Sequence, residues 1–116
     1  MTLRLAMVTA DTTDPTTLAT WWAEQLGAKV TDDHGGTFAM VRGGGLPVVL
    51  AFQQVDAVTP GKNRLHLDLM SPDVEAEVER LLSAGASLVG RRGDESFAWV
   101  TLADPDGNEF CVAPGQ

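Results

Sequence analysis

The stretch Met7-Val-Thr-Ala-Asp-Thr-Thr-Asp14 has a counterpart 59 residues later, His66-Leu-Asp-Leu-Met-Ser-Pro-Asp73. Each reads as a strand running into an aspartate at a helix start. Further along, Leu26-Gly27-Ala28 lies over Ala84-Gly85-Ala86, one residue short of that shift, and Thr37-Phe-Ala-Met-Val41 lies over Ser96-Phe-Ala-Trp-Val100. Few letters are identical, but the order and spacing of the elements agree. A chain that repeats itself in this way is expected to be a pseudo-twofold body with a cleft between its halves. The positions where the halves differ are then where chemistry is to be sought.

At 116 residues the chain is expected to be a single domain over 1–116, with modules near 1–58 and 62–116. Its 44% apolar and 21% charged residues are ordinary for a globular protein. Sixteen acids against eight Lys and Arg give a net charge of −8, which argues against nucleic acid or an anionic membrane as a charge-driven partner. No run has the apolar length of a membrane span, and the first residues lack a basic segment followed by an apolar one. A lone cysteine, Cys111, forms no internal disulfide, so a cytoplasmic location is expected.

The pattern predicts a strand over Leu3–Thr9, then a helix capped by Asp14 with Pro15 in its first turn. Leu18, Trp22, Gln25 and Leu26 follow at helical spacing, and Gly27 stops the helix. Strands are expected at Ala28–Asp32, Thr37–Arg42 and Leu46–Gln53. After Thr59-Pro60-Gly61, a strand over Arg64–Met70 precedes a helix begun by Ser71-Pro72, with Val74, Val78, Leu81 and Leu82 as its buried stripe. Strands at Ser87–Val89, Phe97–Leu102 and Glu109–Ala113 follow, the last two joined by the turn Asp104-Pro-Asp-Gly-Asn108. Phe38 and Phe97 are expected to be a symmetric core pair. Each half is thus strand, helix and three strands, an α+β chain.

With these residues the chain resembles the vicinal oxygen chelate superfamily, which includes glyoxalase I, bleomycin-resistance proteins and extradiol dioxygenases. The resemblance is carried by Asp14 to Trp21-Trp22 to Leu26-Gly27 and by the turn Asp104–Asn108. Lys62-Asn-Arg-Leu-His-Leu-Asp68 with Asn108-Glu-Phe-Cys-Val112 is similar to its glyoxalase-like domain branch. It implies two βαβββ modules in pseudo-twofold repeat, curled into a cup-shaped mixed sheet, and a homodimer. It also implies a metal ligand, commonly His or Glu, on the first and last strand of each module. Those positions hold Met7, Phe52, His66 and Cys111, the last where Glu is usual, so one usual ligand of four is present. The superfamily's metal-polarised enediolate or oxygen chemistry is therefore not expected in its usual form, and no cofactor is predicted, although a divalent metal at a rearranged site remains open.

The cup would have an apolar half, Met7, Leu50 and Phe52, and a polar half, Arg64, His66, Asp68 and Glu109. His66 fits a metal ligand, a general base tuned by Asp68, or one member of a hydrogen-bonded wall with Arg64 and Glu109. Cys111 fits a soft ligand, a nucleophile or a small buried hydrophobe. Trp99 fits a stacking wall for a planar ligand or plain packing. His34, among Asp32, Asp33, Gly35 and Gly36, reads as a solvated turn residue. The function expected is binding of a small organic ligand without the usual metal site. The alternatives are a metal-dependent lyase, isomerase or dioxygenase using His66, or a metal-free acid–base catalyst.

Overall fold

The structure is a computed structural model that describes residues 5–63 and 65–115. The first unit, Met1–Thr59, contains β1 (Met7–Thr12), α1 (Pro15–Leu26), β2 (Lys29–Asp32), a 3-10 turn (His34–Gly36), β3 (Phe38–Arg42) and β4 (Val49–Gln54). The second, Pro60–Gln116, contains β5 (Leu67–Ser71), α2 (Val74–Ser83), β6 (Ser87–Gly93), β7 (Ala98–Ala103) and β8 (Glu109–Pro114). The chain is α+β, with two βαβββ repeats. Each unit holds one mixed sheet, ordered β1-β4-β3-β2 in the first and β5-β8-β7-β6 in the second. The first and last strands of each repeat run parallel, and the other pairs are antiparallel.

The helix starts repeat the same two capping bonds. Asp14 accepts from the Thr17 amide at 3.3 Å and the Thr17 hydroxyl at 2.7 Å, while its own amide donates to Thr12 Oγ1 at 3.1 Å. Asp73 accepts from the Ala76 amide at 3.1 Å, and its amide donates to Ser71 Oγ at 3.1 Å. Each aspartate satisfies an amide of the first turn, and each buried hydroxyl, Thr12 or Ser71, fixes the chain entering the cap. The second cap is therefore Asp73 rather than Ser71-Pro72: the proline precedes the helix, and the carboxylate sits where an accepting oxygen is needed. At the end of α1, Gly27 adopts φ 63, a left-handed stop. Gly44, at φ 55, brings the β3–β4 turn against that stop, and a Cβ there would fall 2.4 Å from the Leu26 carbonyl oxygen.

Strand alternation gives each sheet two unlike faces. In the first unit Ala39, Val41, Leu50 and Phe52 are paired across β3 and β4 on one face and are buried with Leu18, Ala19, Trp22 and Ala23 of α1. In the second, Val100, Leu102, Phe110 and Val112 form the equivalent face, with Val78 and Leu81 of α2 also buried. The other faces carry Met7, Thr9, Met40 and Ala51 in the first unit, and Asp68, Trp99, Thr101 and Cys111 in the second. The turn after β7 is closed by Asp104, whose buried carboxylate accepts from the amides of Asp106 and Asn108 at 2.9 Å each and from Asn108 Nδ2 at 3.0 Å.

Several expectations shift. Among the described residues β1 runs Met7–Thr12, past the expected end at Thr9, because its register with β4 carries pairing through Thr12 despite the polar Thr9 and Asp11. Residues 1–4 and Arg64 lie outside the described residues. β5 begins at Leu67, leaving His66 just before it, and β6 extends to Gly93 because β7 pairs with it that far. Leu82 is 39% exposed and lies outside the buried stripe of α2. Phe97 is 52% exposed; the residue matching Phe38 in the register is Trp99, not Phe97.

The repeat offset also changes along the chain. Asp73 follows Asp14 by 59 residues, Leu102 follows Val41 by 61, and Phe110 follows Leu50 by 60. The α2–β6–β7 run is longer than its counterpart and the β7–β8 turn shorter. Cys111 is consequently matched by Ala51, not by Phe52.

Candidate functional site

The face of the second sheet opposite its packed core brings together the chemistry-bearing residues. β5 and β8 run parallel with Asp68 opposite Cys111, and Thr101 of β7 lies opposite Cys111 on the other side. Cys111 is therefore flanked by a carboxylate and a hydroxyl at strand spacing, about 4.8 Å to either side. His66 stands two residues before Asp68, just ahead of β5, and turns its imidazole toward that carboxylate. Its Nδ1 lies 3.1 Å from Asp68 Oδ1. One donor atom from each of His66, Asp68 and Cys111 falls within 4.8 Å of the others. The thiol sits at the base, 8% exposed, with its sulfur 3.5 Å from Thr101 Oγ1. The imidazole and carboxylate form an open rim, their side chains 44% and 67% exposed.

Asn63 holds this rim in place. Its Oδ1 accepts from the Glu109 amide at 2.9 Å, and its Nδ2 donates to the Glu109 carbonyl at 3.4 Å and to the Leu65 carbonyl. The segment leading into His66 is thereby tied to the start of β8 before β5 begins. Reading the sequence for titratable and aromatic groups passed over Asn63 and Thr101. The signal for Asn63 was its place within Lys62–Asp68, a segment already singled out. Arg92, opposite Trp99 in the β6–β7 pair, also belongs to this face and was not singled out.

Of the residues expected at the site, His66, Asp68 and Cys111 converge. Glu109 and Trp99 share their face, both half-buried, and the Trp99 ring centroid lies 5.9 Å from that of Phe97. Arg64 lies outside the described residues. Met7 is exposed on the corresponding face of the first sheet, but Leu50 and Phe52, 4% and 1% exposed, point to the opposite side, into the core with α1. The apolar set expected to act together is split because adjacent residues of a strand face opposite ways, and Phe52 was placed one residue out of register.

The donor set bears on the superfamily's metal. Its four positions supply a thioether at Met7, an imidazole at His66, a thiol at Cys111 and hydrocarbon at Ala51, so the usual His and Glu set is not carried by these residues. His66, Asp68 and Cys111 do offer nitrogen, oxygen and sulfur donors of the kind that zinc accepts. No helix of the described residues is long and apolar enough to cross a membrane.

Comparison with known proteins agrees with this architecture. The profile of the glyoxalase-like domain family matches residues 7–113. No curated protein matches the chain. Among solved structures, a glyoxalase-related enzyme from Fulvimarina pelagi is 22% identical, with a TM-score of 0.73 over 97% of this chain and 88% of its own. A glyoxalase/bleomycin resistance protein/dioxygenase family enzyme from Burkholderia phytofirmans is 17% identical, with a TM-score of 0.78 over 94% and 96%. The fosfomycin resistance protein FosX from Listeria monocytogenes, solved with Mn(II) and a dihydroxypropylphosphonic acid, is 16% identical, with a TM-score of 0.78 over 100% and 93%. At these identities the structures speak for the fold alone. The family match spans nearly the whole chain, which therefore belongs to the glyoxalase-like domain family of the vicinal oxygen chelate superfamily.

Proposed function

We propose that this protein binds a small organic ligand on the face of the second sheet opposite its packed core, its planar or apolar body against Trp99 and its polar end at His66, Asp68 and Glu109. The observation behind this reading is the arrangement of that face: an imidazole–carboxylate pair at 3.1 Å and a half-buried indole, facing away from the side packed with Val78 and Leu81. Sites for small molecules combine apolar walls with a few placed polar groups in this way. Arg64 belongs to the same proposal as an anion-binding group. The protein is proposed to act as a homodimer in the cytoplasm, and light scattering of the purified chain checks the dimer.

The test is fluorescence titration of a Trp21→Phe, Trp22→Phe chain, which leaves Trp99 as the reporter, against a panel of aromatic acids and amines. Saturable quenching that weakens at least tenfold in His66→Ala is expected. Quenching indifferent to both His66→Ala and Asp68→Asn would sink the reading.

A second reading, a metal-dependent lyase, isomerase or dioxygenase, is favoured by the convergence of His66, Asp68 and Cys111. Turnover that requires added metal and disappears in His66→Ala would favour it over simple binding.

A further inference from the structure

We propose that His66, Asp68 and Cys111 form a three-donor site for a borderline divalent cation of the zinc class, built within the second sheet. This deepens the metal-dependent reading and stands apart from the ligand-binding one. It also departs from the arrangement that the family resemblance implies, which draws donors from both halves of the chain.

The register makes the site. Parallel pairing sets Asp68 against Cys111, and His66, just before β5, brings its Nδ1 to the Asp68 carboxylate. Two donors on one zinc ion, each about 2.0–2.3 Å from it, stand roughly 3.3–3.7 Å apart at the tetrahedral angle. His66 Nδ1 and Asp68 Oδ1 are already 3.1 Å apart, and the full set spans no more than 4.8 Å. The widest separation exceeds the tetrahedral spacing by about 1 Å, a gap on the scale of a side-chain torsion change.

The chemistry selects the ion. A thiolate, an imidazole and a carboxylate together suit zinc or cobalt and not magnesium or calcium, which take oxygen donors. Binding deprotonates the Cys111 thiol, and the Thr101 hydroxyl, 3.5 Å from the sulfur, is placed to donate to the resulting thiolate. The exposed imidazole and carboxylate leave the outer side of the ion open to water or a substrate oxygen, the pattern of a catalytic zinc with three protein ligands.

Co(II) is the probe, because a cysteine ligand gives a sulfur-to-cobalt charge-transfer band in the near ultraviolet that nitrogen and oxygen donors do not. Titration of the reduced, metal-free full chain is expected to show uptake of one equivalent with that band, and its loss when Zn(II) displaces the cobalt. Cys111→Ser should abolish the band, while His66→Ala and Asp68→Asn should each weaken binding by roughly tenfold or more. Circular dichroism confirms that each variant is folded, and Cys111→Ser nearly preserves side-chain volume. Uptake without the band, a band that survives in Cys111→Ser, or affinity unchanged in Asp68→Asn would overturn the proposal. Fluorescence titration of the metal-free chain with organic ligands reports on the ligand-binding reading separately, so either can fail alone.

Discussion

Asn63 grips the backbone of Glu109 from 46 residues away, accepting from its amide at 2.9 Å and donating to its carbonyl at 3.4 Å. One side-chain amide thus extends the pairing of β5 with β8 by a step, at the point where the chain arrives at His66.

Replacing Asn63 by Ala strips a half-buried amide and a carbonyl of their partner, and is expected to cost about 1–3 kcal/mol in urea denaturation. Asn63→Asp keeps the acceptor for the Glu109 amide and loses the donor, so its cost should be intermediate. Because the same side chain sets the approach to His66, Asn63→Ala should also weaken cobalt uptake while leaving the charge-transfer band in place, since Cys111 does not depend on it.

Asp104 accepts from the amides of Asp106 and Asn108 and from the Asn108 side chain within the turn between β7 and β8, while nearly excluded from water. Asp104→Ala should lower stability by about 2–3 kcal/mol, as it leaves amides without a charged acceptor. Denaturant midpoints at unchanged slope would register this as a loss of stability rather than a change in the unfolded chain.

Acid should act on two carboxylates, the α1 cap Asp14 and Asp94 in the turn between β6 and β7. The Thr17 hydroxyl and then the Thr17 amide hold the Asp14 carboxyl below its ordinary range, and the Ser96 hydroxyl, with the amides of Ser96 and Phe97, does the same for Asp94. A carboxyl lowered in the folded state contributes stability that is fully present above its unfolded value, about 3.9, and is lost as pH falls through the lowered folded value. Asn is a comparable cap that does not titrate in this range. Asp14→Asn with Asp94→Asn should therefore match the parent protein near pH 6 and show a flatter loss of thermal midpoint below pH 4.

The assignment of faces is checked by a contrast. Phe52→Ala should cost about 3–5 kcal/mol, the range for a buried phenylalanine, since Phe52 is 1% exposed against α1. Met7→Ala, at an exposed position on the other face, should stay within about 1 kcal/mol. Comparable costs for the two would contradict the division of the sheet.

Much of the fold was legible because it rests on local chemistry. Asp14-Pro15 and Gly27 bound α1 as read, and the Asp104–Asn108 turn falls where its residues put it. The resemblance supplied two βαβββ modules and a mixed sheet; the strand order and the parallel pairing of first and last strands rest on long-range contacts that were not read from the sequence. What failed was register. A repeat aligned by eye at one fixed offset ignores single residues gained or lost in connections, and each such residue turns a strand over. That is why Phe52 was expected beside Met7, and why Phe97 was paired with Phe38. At the site, His66, Asp68 and Cys111 were all singled out from their types, but their convergence depends on the β5–β8 pairing, which residue types do not encode.

The alternation in β8 has a consequence for how this chain can change length. A strand has a reading frame of two, and in β8 Phe110 and Val112 read into the core while Cys111 reads onto the donor face. Loss of a single residue inside the strand would turn the thiol toward the core and the phenyl ring onto the donor face, costing core and donors in one event. For β8, insertions and deletions are tolerable only in the connections at its ends. Between β3 and β4 and their counterparts β7 and β8 the change does fall in the connection, where the offset of the two halves goes from 61 residues to 60.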